Sequence, residues 1–153
     1  MLAIRRYEPS DHEAIWSLHK TALRAVNADA GDGPWDDDFH QIEDVYLRGG
    51  GEFLVGVLDG RVVAMGALRR SSEFRAEVKR MRVHPDYHRR GFGQAILTAL
   101  EQRARELGYR TLRLDTTTVQ EAAQRLYTKN GFVEVGRSQA HGFELIFYEK
   151  KLA

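Results

Sequence analysis

The chain has 153 residues, 42% of them apolar and 29% charged, with 14 Gly and 3 Pro. That is enough to bury one core, too little for two full domains, and the balance of a folding chain rather than a disordered one. A net charge of +1 excludes a global field for nucleic acid or anionic lipid, and the lack of Cys excludes a disulfide framework, a thiolate metal site or a cysteine nucleophile. With charge from Arg5 onward and no apolar window near the roughly 18 residues of a membrane span, a soluble, cytoplasmic protein with no membrane partner is expected.

Leu2 to Tyr7 alternates apolar and basic residues like a half-buried strand, and Ser10-Asp11-His12-Glu13 has capping-box spacing, which predicts a helix from Asp11. Ile15, Leu18, Ala22, Leu23 and Val26 form its apolar face. From Asn27 to Asp38 the period fails, predicting an exposed acidic loop, and Phe39 to Leu47 predicts a second helix, ended by Gly49-Gly50-Gly51. Phe53 to Leu58 and Arg61 to Leu68 are strand-like runs around Asp59-Gly60, a tight hairpin.

Glu77 to Val83 alternates again and stops at His84-Pro85. A basic, glycine-containing segment, His88 to Gly93, then leads into a long amphipathic helix whose face is Phe92, Ile96, Leu97, Leu100, Ala104 and Leu107 and whose cap is Gly108. Thr111 to Leu114 reads as a short strand, Thr118-Val119-Gln120-Glu121 as a second capping box for a helix through Lys129, and Phe132 to Gly136 and Phe143 to Glu149 as closing strands. The two strands joined through the long helix should be parallel, with a right-handed crossover.

The turn after the fourth strand carries the most information. A strand that ends at a helix N-terminus leaves several N–H groups unpaired beside the positive end of the helix dipole. Gly91 and Gly93 allow close approach of backbone to a phosphate, and Arg89 and Arg90 add charge. A Walker loop would need Gly-Lys-Ser/Thr, and a dinucleotide fingerprint would need glycine where Ile96 stands, so neither fits. A solvated basic turn is the alternative.

The segment Lys79-Arg80-Met81-Arg82-Val83-His84-Pro85-Asp86-Tyr87-His88-Arg89-Arg90-Gly91-Phe92-Gly93 resembles motif A of the GNAT (Gcn5-related N-acetyltransferase) family, with His88 where Gln or Arg is usual. Gln120-Glu121-Ala122-Ala123-Gln124-Arg125-Leu126-Tyr127-Thr128-Lys129-Asn130-Gly131-Phe132 is similar to the family's second block, with Gln120 in a place often held by Asn. The resemblance implies one α/β (α+β) domain over 1–153: a mixed central sheet of six to seven strands flanked by about four helices. It also implies an acyltransferase that moves acetyl from acetyl-CoA, as co-substrate and without a metal, directly to a primary amine of a small molecule or peptide.

By the same resemblance, Met81, Arg82 and Val83 would run beside the pantetheine arm, Met81 and Val83 lending main-chain groups. His88, Arg89, Arg90, Gly91, Phe92, Gly93 and Gln94 would wrap the pyrophosphate, and Gln120 would bond the pantetheine or a water. An unpaired main-chain N–H near Val83, where the family's fourth and fifth strands part, would polarise the carbonyl.

Tyr127 matches the tyrosine that many members place near the CoA sulfur, and a phenol there can protonate the leaving thiolate; packing under the sheet is its other reading. Glu77 falls where one branch carries a general base, or else is a strand carboxylate paired with an arginine, with Glu73 as fallback. The acidic run Asp29, Asp32, Asp36, Asp37 and Asp38 would attract a cationic amine or simply face solvent, and Trp35 would line the acceptor pocket.

His19, His40 and His141 are scattered, so no metal site is expected. A nucleic-acid partner would need the arginines on one face, whereas alternation sends Arg80 and Arg82 one way and Lys79 the other. A non-catalytic acyl-CoA sensor is the alternative function, and homodimerisation is implied by the resemblance alone.

Overall fold

The protein is represented by a computed structural model, which describes residues 1–29, 31, 33–140 and 142–152. Strands β1 (Ala3–Arg6), β2 (Glu52–Leu58), β3 (Arg61–Arg70), β4 (Arg75–Val83), β5 (Thr111–Thr117), β6 (Val133–Ala140) and β7 (Phe143–Lys151) form one sheet in the order β1-β2-β3-β4-β5-β7-β6. Among the described strands only β4 and β5 pair in parallel, across the crossover helix α2 (Phe92–Glu106), as the βαβ reading requires. The helices α1 (His12–Ala25) and α3 (Glu121–Lys129) complete the described α-helices. Every expected strand is present, all but β1 longer than the sequence suggested.

β3 is buried on both faces. Ala64 and Leu68 point into a core with Ile96, Leu97, Leu100 and Ala104 of α2, while Met65 and Ala67 meet Ile15, Leu18, Phe39 and Tyr46 on the opposite face. At about 1.5–3 kcal/mol per fully buried large aliphatic side chain, these two layers clamp the sheet. Asp59 and Gly60 both take positive φ, which the right-handed twist of a two-residue hairpin favours.

Several local expectations are corrected. The first capping box is set two residues early: Glu8 N–H donates to the Asp11 carboxylate at 2.8 Å, so a 3-10 turn at Pro9–Asp11 precedes α1. The Thr118 box does not form, because Gln120 itself is the N-cap residue of α3. The acidic loop is not a solvated run: Pro34–His40 forms a 3-10 turn with Asp36 and Phe39 buried, and a single π-helical turn, Glu43–Leu47, replaces the second helix. Asp32 and His141 lie outside the described residues.

Strict alternation also fails in β4. Met65 pairs with Arg82 and Ala67 with Lys79, so one strand advances three residues while its partner advances two. The extra residue is Arg80, held at φ 58°. Opposite the bulge sits Gly66, where a Cβ would lie 2.6 Å from both the Met81 sulfur and Ile96. Beyond the bulge the facing reverses, so Lys79, Arg80 and Arg82 all border one cleft.

Candidate active site

Pairing between β4 and β5 stops at Glu77 and Arg113. Past that point Val78–Val83 and Leu114–Thr117 diverge, as the family resemblance implied, and a cleft of about 190 Å³ opens between them. Its lining includes Glu77, Met81 and Arg82 from β4, Asp115 and Thr116 from β5, and Tyr127 from α3.

Tyr127 is 5% exposed and packs edge-on against Phe132 at 5.6 Å, yet its hydroxyl makes no hydrogen bond among the described residues. Burial holds that phenol well above its ordinary range, so it remains protonated at neutral pH. Glu77 borders the cleft without an ion pair among the described residues, whereas Glu73 lies in the exposed turn before β4. Asp115 was not anticipated. Though Asp115 remains exposed on the cleft's rim, desolvation by the surrounding protein raises its carboxyl, and Lys79 opposes that rise. Its place past the last β4–β5 pair, which brings it into the cleft, is set by tertiary structure alone.

At the end of β4 the turn has the form expected of an anion site. Gly91 is the N-cap of α2 at φ 77°, Arg89 also has positive φ, and a Cβ on Gly91 would meet no protein atom within 4 Å. Among the described residues the main-chain N–H groups from Arg89 to Gln94 have no acceptor. These orphan donors beside an open glycine, with Arg89 and Arg90 exposed, fit a pyrophosphate.

The side chains of the turn act differently. His88 lies 3.2 Å from the Val83 carbonyl, Arg90 stacks over Tyr87, and Gln94 forms a reciprocal amide pair with Asn130 that lashes α2 to α3. The Gln120 side-chain oxygen is taken by Thr116 and Thr117, leaving its amide nitrogen for any ligand. The Met81 carbonyl already accepts from Arg82.

The opposite wall is a charged network. Arg80 donates to both oxygens of Asp38 and to Asp36, Lys20 pairs with Asp29 and Asp36, and the Tyr46 hydroxyl donates to Asp38. The acids expected to draw in a cationic amine are therefore largely occupied by cations of the protein itself; Asp37 is exposed. Trp35 does line the cleft.

His19, 1% exposed and also unanticipated, lies between Asp36 at 3.0 Å and Arg82 at 3.3 Å. Arginine can only donate, so Nδ1 accepts from Arg82 and Nε2–H donates to Asp36. Burial, then Arg82 and Arg80, pull the imidazole down to about 2, so it is neutral. Its position at Ile15 plus four was the one signal that placed it on the buried face. No group of three or more potential metal ligands occurs among the described residues, and none of their helices is long and apolar enough to cross a membrane.

The model of the acetyltransferase (GNAT) family matches residues 12–132. An N-acetylaspartate synthetase from Xenopus tropicalis is 35% identical over 106 residues, covering 68% of this chain and 39% of that protein. An IAA acetyltransferase from Azospirillum brasilense is 36% identical over 103 residues, covering 65% of this chain and 67% of that one. The chain thus spans about two fifths of the synthetase it matches. A GNAT-family acetyltransferase from Staphylococcus aureus Mu50 superposes with a TM-score of 0.92 at 22% identity over 100% of both chains. A putative acetyltransferase from Salmonella typhimurium, solved with its cofactor acetyl-CoA, gives 0.80 at 21% identity over 100% of this chain and 95% of that one. These two likenesses concern the fold.

Proposed function

The chain belongs to the GNAT acetyltransferase family, and on that premise we propose that it is an acetyl-CoA-dependent N-acetyltransferase acting directly on a primary amine of a small molecule or peptide. The observation that carries this reading is the parting of β4 and β5 around Tyr127, whose hydroxyl has no partner among the described residues. A sensor that only binds acyl-CoA has no use for an unoccupied, protonated phenol at that place.

Acetyl-CoA supplies an activated thioester carbonyl. The free amides from Arg89 to Gln94 receive the pyrophosphate, and the unpaired β4 edge from Val78 to Val83 runs beside the pantetheine. Glu77 or Asp115, directly or through a water, takes the proton that the attacking amine must lose. As the new C–N bond forms and the C–S bond breaks, Tyr127 donates its proton to the departing thiolate and is then reprotonated from solvent.

Isothermal titration with acetyl-CoA followed by thiol-release assays across a panel of amines tests the proposal. Binding with amine-dependent release is expected. Binding without release from any amine supports the sensor reading, and no binding removes both.

A further inference from the structure

The charged wall of the cleft does not balance locally. Arg80 is held by Asp36 and Asp38, and Lys20 by Asp29 and Asp36. Arg82 has no carboxylate within ion-pair distance among the described residues. Its bonds go to neutral groups: Nε to the His19 ring and Nη1 to the Met81 carbonyl at 2.7 Å. Nη2 has no hydrogen-bond partner among the described residues, and it is not one of the sealed polar atoms. A largely enclosed guanidinium with no carboxylate in contact, Asp36 and Asp115 acting on it only from beyond ion-pair distance, is costly unless an anion reaches it. Burial and the nearby Arg80 accordingly pull its pKa down to about 10.

The same cleft holds Glu77 and Asp115, neither ion-paired among the described residues. One surface therefore presents a cation in search of an anion and two carboxylates that suit an ammonium. His19 fixes the direction of the fork, because its Nδ1 holds Nε of Arg82 while its other nitrogen is anchored on Asp36. A neutral or purely cationic amine would leave Arg82 uncompensated; an acceptor carrying its own carboxylate would not.

Resting on the acetyltransferase reading above, we propose that the Arg82 guanidinium is the anion subsite of the acceptor pocket, so that the substrate class is a small amine bearing a carboxylate, of amino-acid type. The carboxylate is held by Arg82, with the amino group toward Glu77 and Asp115. The arrangement selects orientation as well as charge, since the two ends of a zwitterion meet opposite signs.

The test uses the full chain with acetyl-CoA and a matched panel: proteinogenic amino acids, their carboxamides and their decarboxylated amines, read as kcat/KM by thiol release. At least one amino acid should exceed its carboxamide by roughly 30-fold, the scale for an unpaired buried charge contact. Arg82→Met should collapse that preference by raising KM for the amino acid, with far less effect on the carboxamide. Arg82→Lys, which keeps the charge and loses the fork, should retain part of the preference and stands in if the Met variant fails to fold.

Equal turnover of amino acids and carboxamides, turnover confined to the uncharged or decarboxylated amines, or an equal loss for all substrates in Arg82→Met overturns the proposal while leaving acetyl transfer intact. Failure to bind acetyl-CoA at all is a different signature and removes the enzyme reading beneath it.

Discussion

The turn from His84 to Gln94 offers a ligand mainly main-chain amides and the open space beside Gly91, while its side chains are mostly occupied in shaping the turn. The wall formed by α1, Pro34–His40 and the bulge of β4 works the other way: side chains make its surface, and among the described residues every charged group of its inner cluster but Arg82 has an ion-pair partner. Backbone recognition depends on residue type at only a few positions, so it survives much sequence change. A side-chain network depends on partners drawn from three segments, β4 lying more than forty residues from the other two, so one change disturbs several contacts.

The largest effect that would sharpen this contrast is expected on the paired wall. Asp38→Ala strips Arg80 of its bidentate partner while Arg80 stays enclosed, and chemical denaturation should show a loss of about 3 kcal/mol. A loss near zero would mean that the network is solvated and the contrast false. On the backbone side, Gly91→Trp should cost the fold only the strain of a side chain at φ 77°, about 1–2 kcal/mol, since its Cβ meets no protein atom, yet fill the space beside the turn where a phosphate would lie. Titration should then show acetyl-CoA binding weakened by roughly 100-fold, or about 2.7 kcal/mol. Unchanged affinity would remove the turn from the site.

Tyr127→Phe comes next. The ring packing is retained and no hydrogen bond among the described residues is lost, so the melting temperature should hold while kcat falls by roughly 30-fold with little change in acetyl-CoA affinity. Equal turnover would return Tyr127 to a packing role.

The smallest effect is a pH slope. His19 titrates at about 2 when folded and near its ordinary 6.5 when unfolded, so between these values the unfolded chain binds the extra proton. Stability is complete above the unfolded value and falls as pH drops below it, by at most about 1.4 kcal/mol per pH unit. Asp36, whose carboxyl is raised by burial, acts in the opposite direction at lower pH. Denaturation between pH 7 and 5 should show the slope, and His19→Gln, which keeps a donor and an acceptor, should flatten it; an unchanged slope would place the titration elsewhere.

What the sequence by itself determined was the part written in neighbouring residues. Asp59-Gly60, the strand end at Val83, Gly91 before an amphipathic run and Gly108 after it are local choices whose backbone consequences follow from sterics and helix-end hydrogen bonding, and with them came the sheet and the glycine turn before α2. Only the tertiary structure decided what the acidic segment and the basic strand do. The reversal at Arg80 depends on contacts with the neighbouring strand, where Gly66 leaves room for Met81. The pairing of Asp36 and Asp38 with Arg80, the burial of His19 and the unmatched charge of Arg82 exist only once distant segments share a low-dielectric space, and charges interact strongly there in ways that no local pattern encodes.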